Sequence, residues 1–166
     1  AAKIYIARLL RLGKKIVVCE QVEETVGGKG IAERKVSEII TPGTAMEAEY
    51  LEGNSNNYLA AFAVVHGKAA FAFIDVTTSA FSATSWKASE MEEFFPKELS
   101  RCSPRELLLP QSLKNNSLIQ AVLSEYQNIS LSYYPDWNFN GDVGFKKLAR
   151  QFNTINLQSF GLSEDS

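Results

Sequence analysis

Residues 57–86 constrain the fold more than any other part of the sequence. The stretch reads NYLAAFAVVHGKAAFAFIDVTTSAFSATSW and is mostly apolar as far as Asp75. The turn residues His66, Gly67 and Lys68 separate two apolar runs, which is the pattern of an antiparallel hairpin. FSATSW continues as a third strand. The sequence therefore predicts a three-stranded antiparallel meander over residues 58–86.

Helical and extended patterns alternate after the meander. SEMEEFFPKELSRC predicts a helix with Ser89 as its N-cap and with Pro96 bending or restarting it. RELLLP predicts a short strand that is buried on both faces, because three leucines follow one another. NNSLIQAVLSEYQN predicts a second helix, capped by Asn116 or Ser117.

The last part of the chain continues the alternation. ISLSYYPDW predicts a strand with Ile129, Leu131 and Tyr133 on one face, and GDVGFKKLARQFN predicts a helix capped by Asp142. Three antiparallel strands followed by α-β-α-β-α indicate a ribonuclease-H-like α/β fold, a mixed central sheet with helices on its faces.

A smaller α/β unit precedes this fold. KIYIARLLRLGKK predicts a helix with Tyr5, Leu9 and Leu12 at helical spacing, a stripe that Ile6 and Leu10 widen, ended by Gly13. KIVVCEQV and RKVSEII predict two strands around a glycine-containing loop, and TPGT predicts a turn. The expected organisation is a first unit over residues 1–44, a linker over 45–56, and the ribonuclease-H-like unit over 57–166.

Composition excludes several classes of protein. The 166 residues carry a net charge of -2, so the chain as a whole is not an electrostatic nucleic-acid binder. An apolar run long enough for a membrane span is absent from the sequence, and its start does not resemble a signal peptide. Two distant cysteines, Cys19 and Cys102, and one histidine, His66, leave little for a metal site and favour a reducing, cytoplasmic compartment.

Two motifs near the start of the chain suggest chemistry that their surroundings do not support. GGKG lacks the Ser or Thr of a Walker loop and is followed by a strand rather than a helix, so a plain loop is expected. Cys19 lies in a strand beside Glu20, where nothing positive would activate a thiolate. We expect Cys19 to be a small buried apolar residue.

Asp75 raises the alternative of a metal-dependent nuclease. Asp75 lies at the end of the second strand; nucleases of ribonuclease-H-like fold place a carboxylate on their first strand, and two-metal catalysis needs further acids around it. Candidate partners are Glu90, Glu92 and Glu93 on one helix and Asp142 on another, but no motif places them. The competing interpretation is that Asp75 ends a strand and bonds to its own turn.

Basic residues form two clusters. Residues 1–35 hold eight Lys or Arg and four Glu within an acidic chain, which permits a local DNA-facing surface. Lys29, Arg34 and Lys35 are the candidates for proximity to DNA. Lys146 and Lys147, with Arg150, form a second cluster on the last helix and are candidates for binding a partner.

Four segments, in this order, closely resemble the MutS family of bacterial DNA mismatch repair proteins: YIARLLRLGKKIVVCEQVEE, KGIAERKVSEIITPGT, NNYLAAF and FAFIDVTTSAF. The resemblance is strongest over residues 3–82. It is weaker towards the end, where SPRELLLP and SFGL still fit. Departures are ETVGGKG after CEQ, Glu38 where a basic residue is usual, and Thr77-Thr78-Ser79-Ala80 where the family often has S-T-G.

The resemblance implies that residues 1–44 end a mismatch-recognition domain and that residues 57–166 form most of a connector domain. The family's Phe-x-Glu wedge motif does not occur in this sequence. Binding of ATP and Mg²⁺, and homodimerisation, would belong to a C-terminal ATPase region outside it. The implied partners are mismatched double-stranded DNA and the protein MutL, and this segment itself is expected to have no catalytic site, cofactor or metal.

Overall fold

A computed structural model describes residues 2–22, 33–47, 50 and 56–162. The first unit comprises helix α1 (Ala2–Arg11) and strands β1 (Ile16–Gln21) and β2 (Arg34–Ile40), which pair antiparallel. The predicted GGKG loop lies outside the described residues. Gly13 adopts a left-handed φ of 71°, and the amides of Gly13 and Lys14 donate to the carbonyls of Leu10 and Leu9 at 2.9 and 3.0 Å. This bonding pattern ends α1 as predicted.

The apolar pattern of α1 is wider than one stripe. Ala7 and Leu10 are buried against the hairpin, whereas Tyr5 and Leu12 of the predicted stripe are 67% and 64% exposed. The predicted stripe is therefore wrong for Tyr5, Leu12 and the exposed Leu9, and it is confirmed for Leu10 and Ile6, which pack on this core. Residues of the hairpin are exposed as well, so the first unit leaves apolar side chains uncovered both on α1 (Ile4, Tyr5, Leu9 and Leu12) and on the hairpin (Val17, Val36 and Ile39).

The second unit contains a five-stranded mixed sheet in the order β5-β4-β3-β6-β7. Its first three strands are β3 (Tyr58–Val65), β4 (Lys68–Asp75) and β5 (Ala80–Lys87), which form the predicted antiparallel meander. The other two are β6 (Glu106–Pro110) and β7 (Ser130–Tyr134), which run parallel to β3 and to each other. The structure confirms the predicted mixed sheet.

Two helices form the crossover connections that lead into the parallel strands, and a third follows the last strand. They are α2 (Met91–Cys102) before β6 and α3 (Ser117–Ser124) before β7, and α4 (Gly141–Gln151) follows β7. Parallel neighbours need such crossovers because a tight turn leaves the next strand running the opposite way. Both α2 and α3 pack on one face of the sheet, where Phe62, Phe71 and Phe95 are at most 1% exposed.

Several local predictions need correction. Ser89 does not cap α2; it lies in a short 3-10 helix, and the Glu90 carboxylate accepts from the Lys87 amide at 3.2 Å. Pro96 lies within α2, which continues through it without restarting. Asn140, rather than Asp142, caps α4 by accepting from the Val143 amide at 3.0 Å, because a cap must precede the first helical residue.

Strand β7 keeps the predicted alternation, because Ile129 and Tyr133 pack together against the core of the sheet. The burial of the residues between them was not predicted. Leu131 is 36% exposed, whereas its neighbour Ser132 is only 2% exposed. A hydroxyl tolerates this burial because it donates to the carboxylate of Glu106 on the neighbouring strand. The predicted cap of α3 is confirmed, since Asn116 accepts from the Ile119 amide at 3.1 Å.

Candidate functional site

Arg34 and Lys35 open β2 and are both exposed. They pair with Gln21 and Glu20 of β1, and the Lys35 ammonium lies 3.6 Å from the Glu33 carboxylate. Successive side chains of a strand point to opposite faces. The two cations therefore flank the hairpin on its two sides and do not form one patch. Lys29 lies outside the described residues.

Further positive charge lies on and after α1. Arg8 and Arg11 occupy the last turn of the helix, where their positive charges interact favourably with the negative end of the helix dipole. The Lys3 ammonium lies 3.0 Å from the Glu47 carboxylate and so joins the start of α1 to the segment that leaves the first unit. The sequence-predicted excess of positive charge in this unit is thus distributed over α1 and the hairpin.

Lys146 and Lys147 are exposed on α4. Arg150 lies four and three residues further on, so the three cations share one side of the helix. Val143, one turn earlier on the same side, is 47% exposed. The arrangement combines positive charge with an apolar residue on an accessible helix face.

Asp75 is engaged by its own turn. Its Oδ1 accepts from the Thr77 hydroxyl at 2.6 Å and the Thr77 amide at 3.0 Å, and its Oδ2 accepts from the Asn57 amide at 3.4 Å. The Thr77 hydroxyl bond lowers the pKa of the Asp75 carboxyl, although burial opposes it. Asp75 therefore ends a strand and bonds to a turn, as the competing interpretation of this residue held.

The nuclease alternative is not favoured. Within residues 2–22, 33–47, 50 and 56–162, no group of three or more His, Cys, Asp or Glu side chains is placed to hold a metal ion. Ser79 has a left-handed φ of 60°, a conformation that glycine adopts at lower cost.

The two cysteines differ in environment. Cys19 is exposed in β1, so the expectation that it is buried is wrong; it lies on the uncovered side of the hairpin with Val17. Cys102 is buried at the end of α2, and this burial raises the pKa of its thiol to about 11. The environment of Cys102 therefore does not favour a thiolate nucleophile.

The TPGT motif forms the contact between the two units. The Thr44 amide donates to the Thr41 carbonyl at 3.1 Å, and the Thr44 hydroxyl accepts from the Thr41 amide at 3.0 Å, so the two threonines close a β-turn. Gly43 at its tip lies directly on the sheet. A Cβ added there would lie 2.9 Å from the Glu106 Cβ and 2.9 Å from a methyl of Leu59.

Glu106 is the buried charge at this contact. Its side chain begins β6 and is 1% exposed. One carboxylate oxygen accepts from the Gly43 amide at 3.3 Å, and the other accepts from the Ser132 hydroxyl and lies 3.7 Å from the Lys15 ammonium. Sequence reasoning missed this residue; the available signal was an acidic residue at the start of an otherwise apolar strand.

Two further hydrogen bonds join the first unit and the start of the linker to the second unit. The Ser130 hydroxyl of β7 donates to the Gly13 carbonyl at 3.2 Å, and the Asn57 amide side chain donates to the Ala45 carbonyl at 3.2 Å. Asn57 is also the residue whose backbone bonds to Asp75. The junction therefore uses side chains from β6, β7 and the start of β3, all facing the first unit.

The mixed five-stranded sheet, its two crossover helices and the docked helix–hairpin unit define an α/β segment of ribonuclease-H-like architecture with a smaller α/β unit before it. The family model "MutS domain I" matches residues 1–49, and "MutS domain II" matches residues 57–166. The chain belongs to the MutS family. This finding confirms the resemblance seen in the sequence.

Curated relatives agree along the whole chain. The DNA mismatch repair protein MutS of Treponema denticola is 49% identical over 177 aligned residues, which cover 100% of this chain and 20% of that protein. Its counterpart in Desulforapulum autotrophicum is 34% identical, covering 99% of this chain and 18% of the relative. That of Clostridium botulinum strain Okra is 36% identical, covering 96% and 17%. The chain spans about a fifth of the length of these relatives.

None of the helices within the described ranges is long and apolar enough to cross a membrane.

Proposed function

We propose that this chain is the part of a DNA mismatch repair protein that joins mismatch recognition to the rest of the molecule. The observation that carries the proposal is the consecutive match to MutS domains I and II, with relatives of that name along the entire chain. In this assignment the first unit ends a mismatch-recognition domain. The five-stranded sheet belongs to a connector that couples DNA binding to an ATPase region.

The proposed mechanism uses the deformability of damaged DNA. A mispaired site is already poorly stacked, so kinking it costs less than kinking paired DNA, and this difference contributes to recognition. The connector passes the resulting domain movement on as a rigid-body displacement and presents a surface for MutL. Binding of ATP and Mg²⁺, and homodimerisation, are assigned to regions outside this fifth of the protein, which acts in the cytoplasm.

No catalysis is proposed for this segment. Asp75, the residue on which a nuclease would depend, is occupied by hydrogen bonds from Thr77 and Asn57. The positive charge of the first unit supports proximity to DNA phosphates, and the exposed face of α4 supports a protein contact. Each assignment has its own test in the full-length protein that carries this chain.

The DNA assignment predicts a weaker and less salt-dependent complex after charge reversal on β2. Arg34→Glu with Lys35→Glu should lower the affinity for mismatched DNA and flatten the log–log salt slope by about 1 for each phosphate that is no longer neutralised. Fluorescence anisotropy across a salt series measures both quantities. A matched control is Lys68→Glu with Lys87→Glu, an exposed pair that lies side by side on β4 and β5. Equal effects of the two double variants would contradict the assignment.

The MutL assignment predicts a loss of recruitment without a loss of mismatch binding. Lys146→Glu with Lys147→Glu reverses two exposed charges on α4. Surface plasmon resonance with MutL over immobilised mismatched DNA should show slower or weaker recruitment, because a positive patch speeds and orients association with an acidic partner surface. The variant at Lys68 and Lys87 again serves as the control. Unchanged recruitment would refute this assignment.

A further inference from the structure

The Glu106 carboxylate stands out because its partners come from both units. A carboxylate that is 1% exposed needs compensating donors, since burial of an unpaired charge is costly. Ser132 lies in the same sheet, whereas Gly43 and Lys15 belong to the first unit. Two of the three groups around the carboxylate would therefore be removed if the first unit left the sheet.

The contact at Gly43 is close as well as polar. Any side chain at this position would meet the Cβ atoms of Glu106 and Leu59 at 2.9 and 3.0 Å. Such an approach is closer than real Cβ contacts allow, so only glycine brings the turn amide within reach of the carboxylate. Two further hydrogen bonds, from Ser130 to Gly13 and from Asn57 to Ala45, lie on other parts of the same junction as the Gly43 contact. Contacts at three separated places restrain rotation as well as translation of the unit.

We propose that Glu106 is a positioning residue that locks the first unit onto the sheet, so that the two units move as one rigid body. The lock consists of the Gly43 amide and the Lys15 ammonium held on a buried carboxylate of β6. A displacement imposed on the first unit is then passed to the sheet without being absorbed at the linker. That last step rests on the DNA-bound function proposed above, whereas the rigidity itself does not.

Spin-label distance measurements on this chain test the lock. One label is placed on the exposed native Cys19 of the first unit and the other on an Ala121→Cys substitution, which lies on the exposed side of α3. Cys102 is 5% exposed and is replaced by alanine in every labelled sample, so that only the two chosen positions carry a label. The wild-type background should show one narrow distance distribution between the labels.

Glu106→Leu removes both acceptor oxygens and should broaden that distribution by roughly twofold or more, as expected for units that gain relative motion. Glu106→Gln should give a distribution much narrower than that of Glu106→Leu. Its amide oxygen can still accept from the Gly43 amide, and its amide NH₂ group can donate to the Ser132 hydroxyl oxygen. A distribution for Glu106→Leu as narrow as that of the parent chain, with the circular dichroism of the sheet intact, would overturn the proposal.

Gly43→Ala provides a second test that leaves the carboxylate unchanged. The φ of Gly43 is not left-handed, so alanine suits the turn itself and its only steric conflict is with the sheet. It should broaden the distribution in the same way. Gly141→Ala is the matched control, because a Cβ there meets nothing within 4 Å. A narrow distribution for Gly43→Ala refutes the lock even if Glu106→Leu fails to fold. Neither result depends on DNA binding by Arg34 or Lys35.

Discussion

Replacing Phe95 with alanine is expected to lower the free energy of unfolding by about 3–5 kcal/mol. Phe95 lies on α2, is 0% exposed, and its ring centroid is 4.4 Å from that of Phe62 and 6.4 Å from that of Phe71. These contacts hold the crossover helix on β3 and β4. Truncation therefore removes a buried ring and leaves a cavity between the helix and the sheet. Urea denaturation followed by circular dichroism measures the loss.

Phe94→Ala is the matched control for this prediction. Phe94 precedes Phe95 on the same helix but is only half-buried, and its ring lies 5.8 Å from that of Trp86. Less apolar surface is removed from the core on truncation, so the loss of stability should be clearly smaller. Equal losses for the two variants would show that α2 is not seated on the sheet through Phe95.

Asp75→Asn is expected to cost about 1–3 kcal/mol of unfolding free energy, the range for leaving buried hydrogen-bonding groups unsatisfied. Both Asp75 oxygens accept from donors, and an amide replaces one of them with a donor. The NH₂ group must then face either Thr77 or the Asn57 amide. Urea denaturation again measures the loss. Asp136→Asn is the control, because Asp136 accepts from the Ser112 amide at 3.0 Å but is exposed.

The stabilising effect of Asp75 should depend on pH in a defined direction. Its pKa in the folded chain is lowered below 3.8, chiefly by the Thr77 hydroxyl, so the folded chain binds this proton less readily than the unfolded chain. The contribution of Asp75 to stability is therefore complete at pH values above its pKa in the unfolded chain. It is lost as the pH falls through its pKa in the folded chain. The stability difference between wild type and Asp75→Asn should shrink in acid. A constant difference between pH 7 and pH 3 would contradict this assignment.

Sequence periodicity predicts the elements of this fold better than it predicts their faces. The meander and the crossover helices follow from patterns of apolar residues that span eight or more positions. Short elements carry less information: the pattern around β7 places Ile129 and Tyr133 on one face, but it does not predict that Ser132 on the other face is buried by its hydrogen bond to Glu106. The exposed position of Cys19 is a similar case, because it depends on which side of the hairpin α1 covers.

The junction was beyond sequence reasoning for a different physical reason. TPGT is readily predicted as a turn, but its contact with Glu106 joins residues 63 positions apart. Helix, strand and turn propensities depend on neighbouring residues only, so they cannot predict such a pairing. The two pairs of basic residues chosen by charge alone are placed differently by the structure. Alternation along β2 puts Arg34 and Lys35 on opposite faces, whereas helical spacing keeps Lys146 and Lys147 on one side of α4.

The position of Glu106 in the chain also sets an order of events during synthesis. Lys15 and Gly43 leave the ribosome well before the carboxylate that receives them, and 63 residues at about 5–20 residues per second take roughly 3–13 s. During this interval the first unit has no sheet on which to dock. The Gly43 amide and the Lys15 ammonium, which later face Glu106, are then exposed on a nascent chain. Docking is thus a late step of folding, and its delay is determined by translation speed as much as by the stability of either unit.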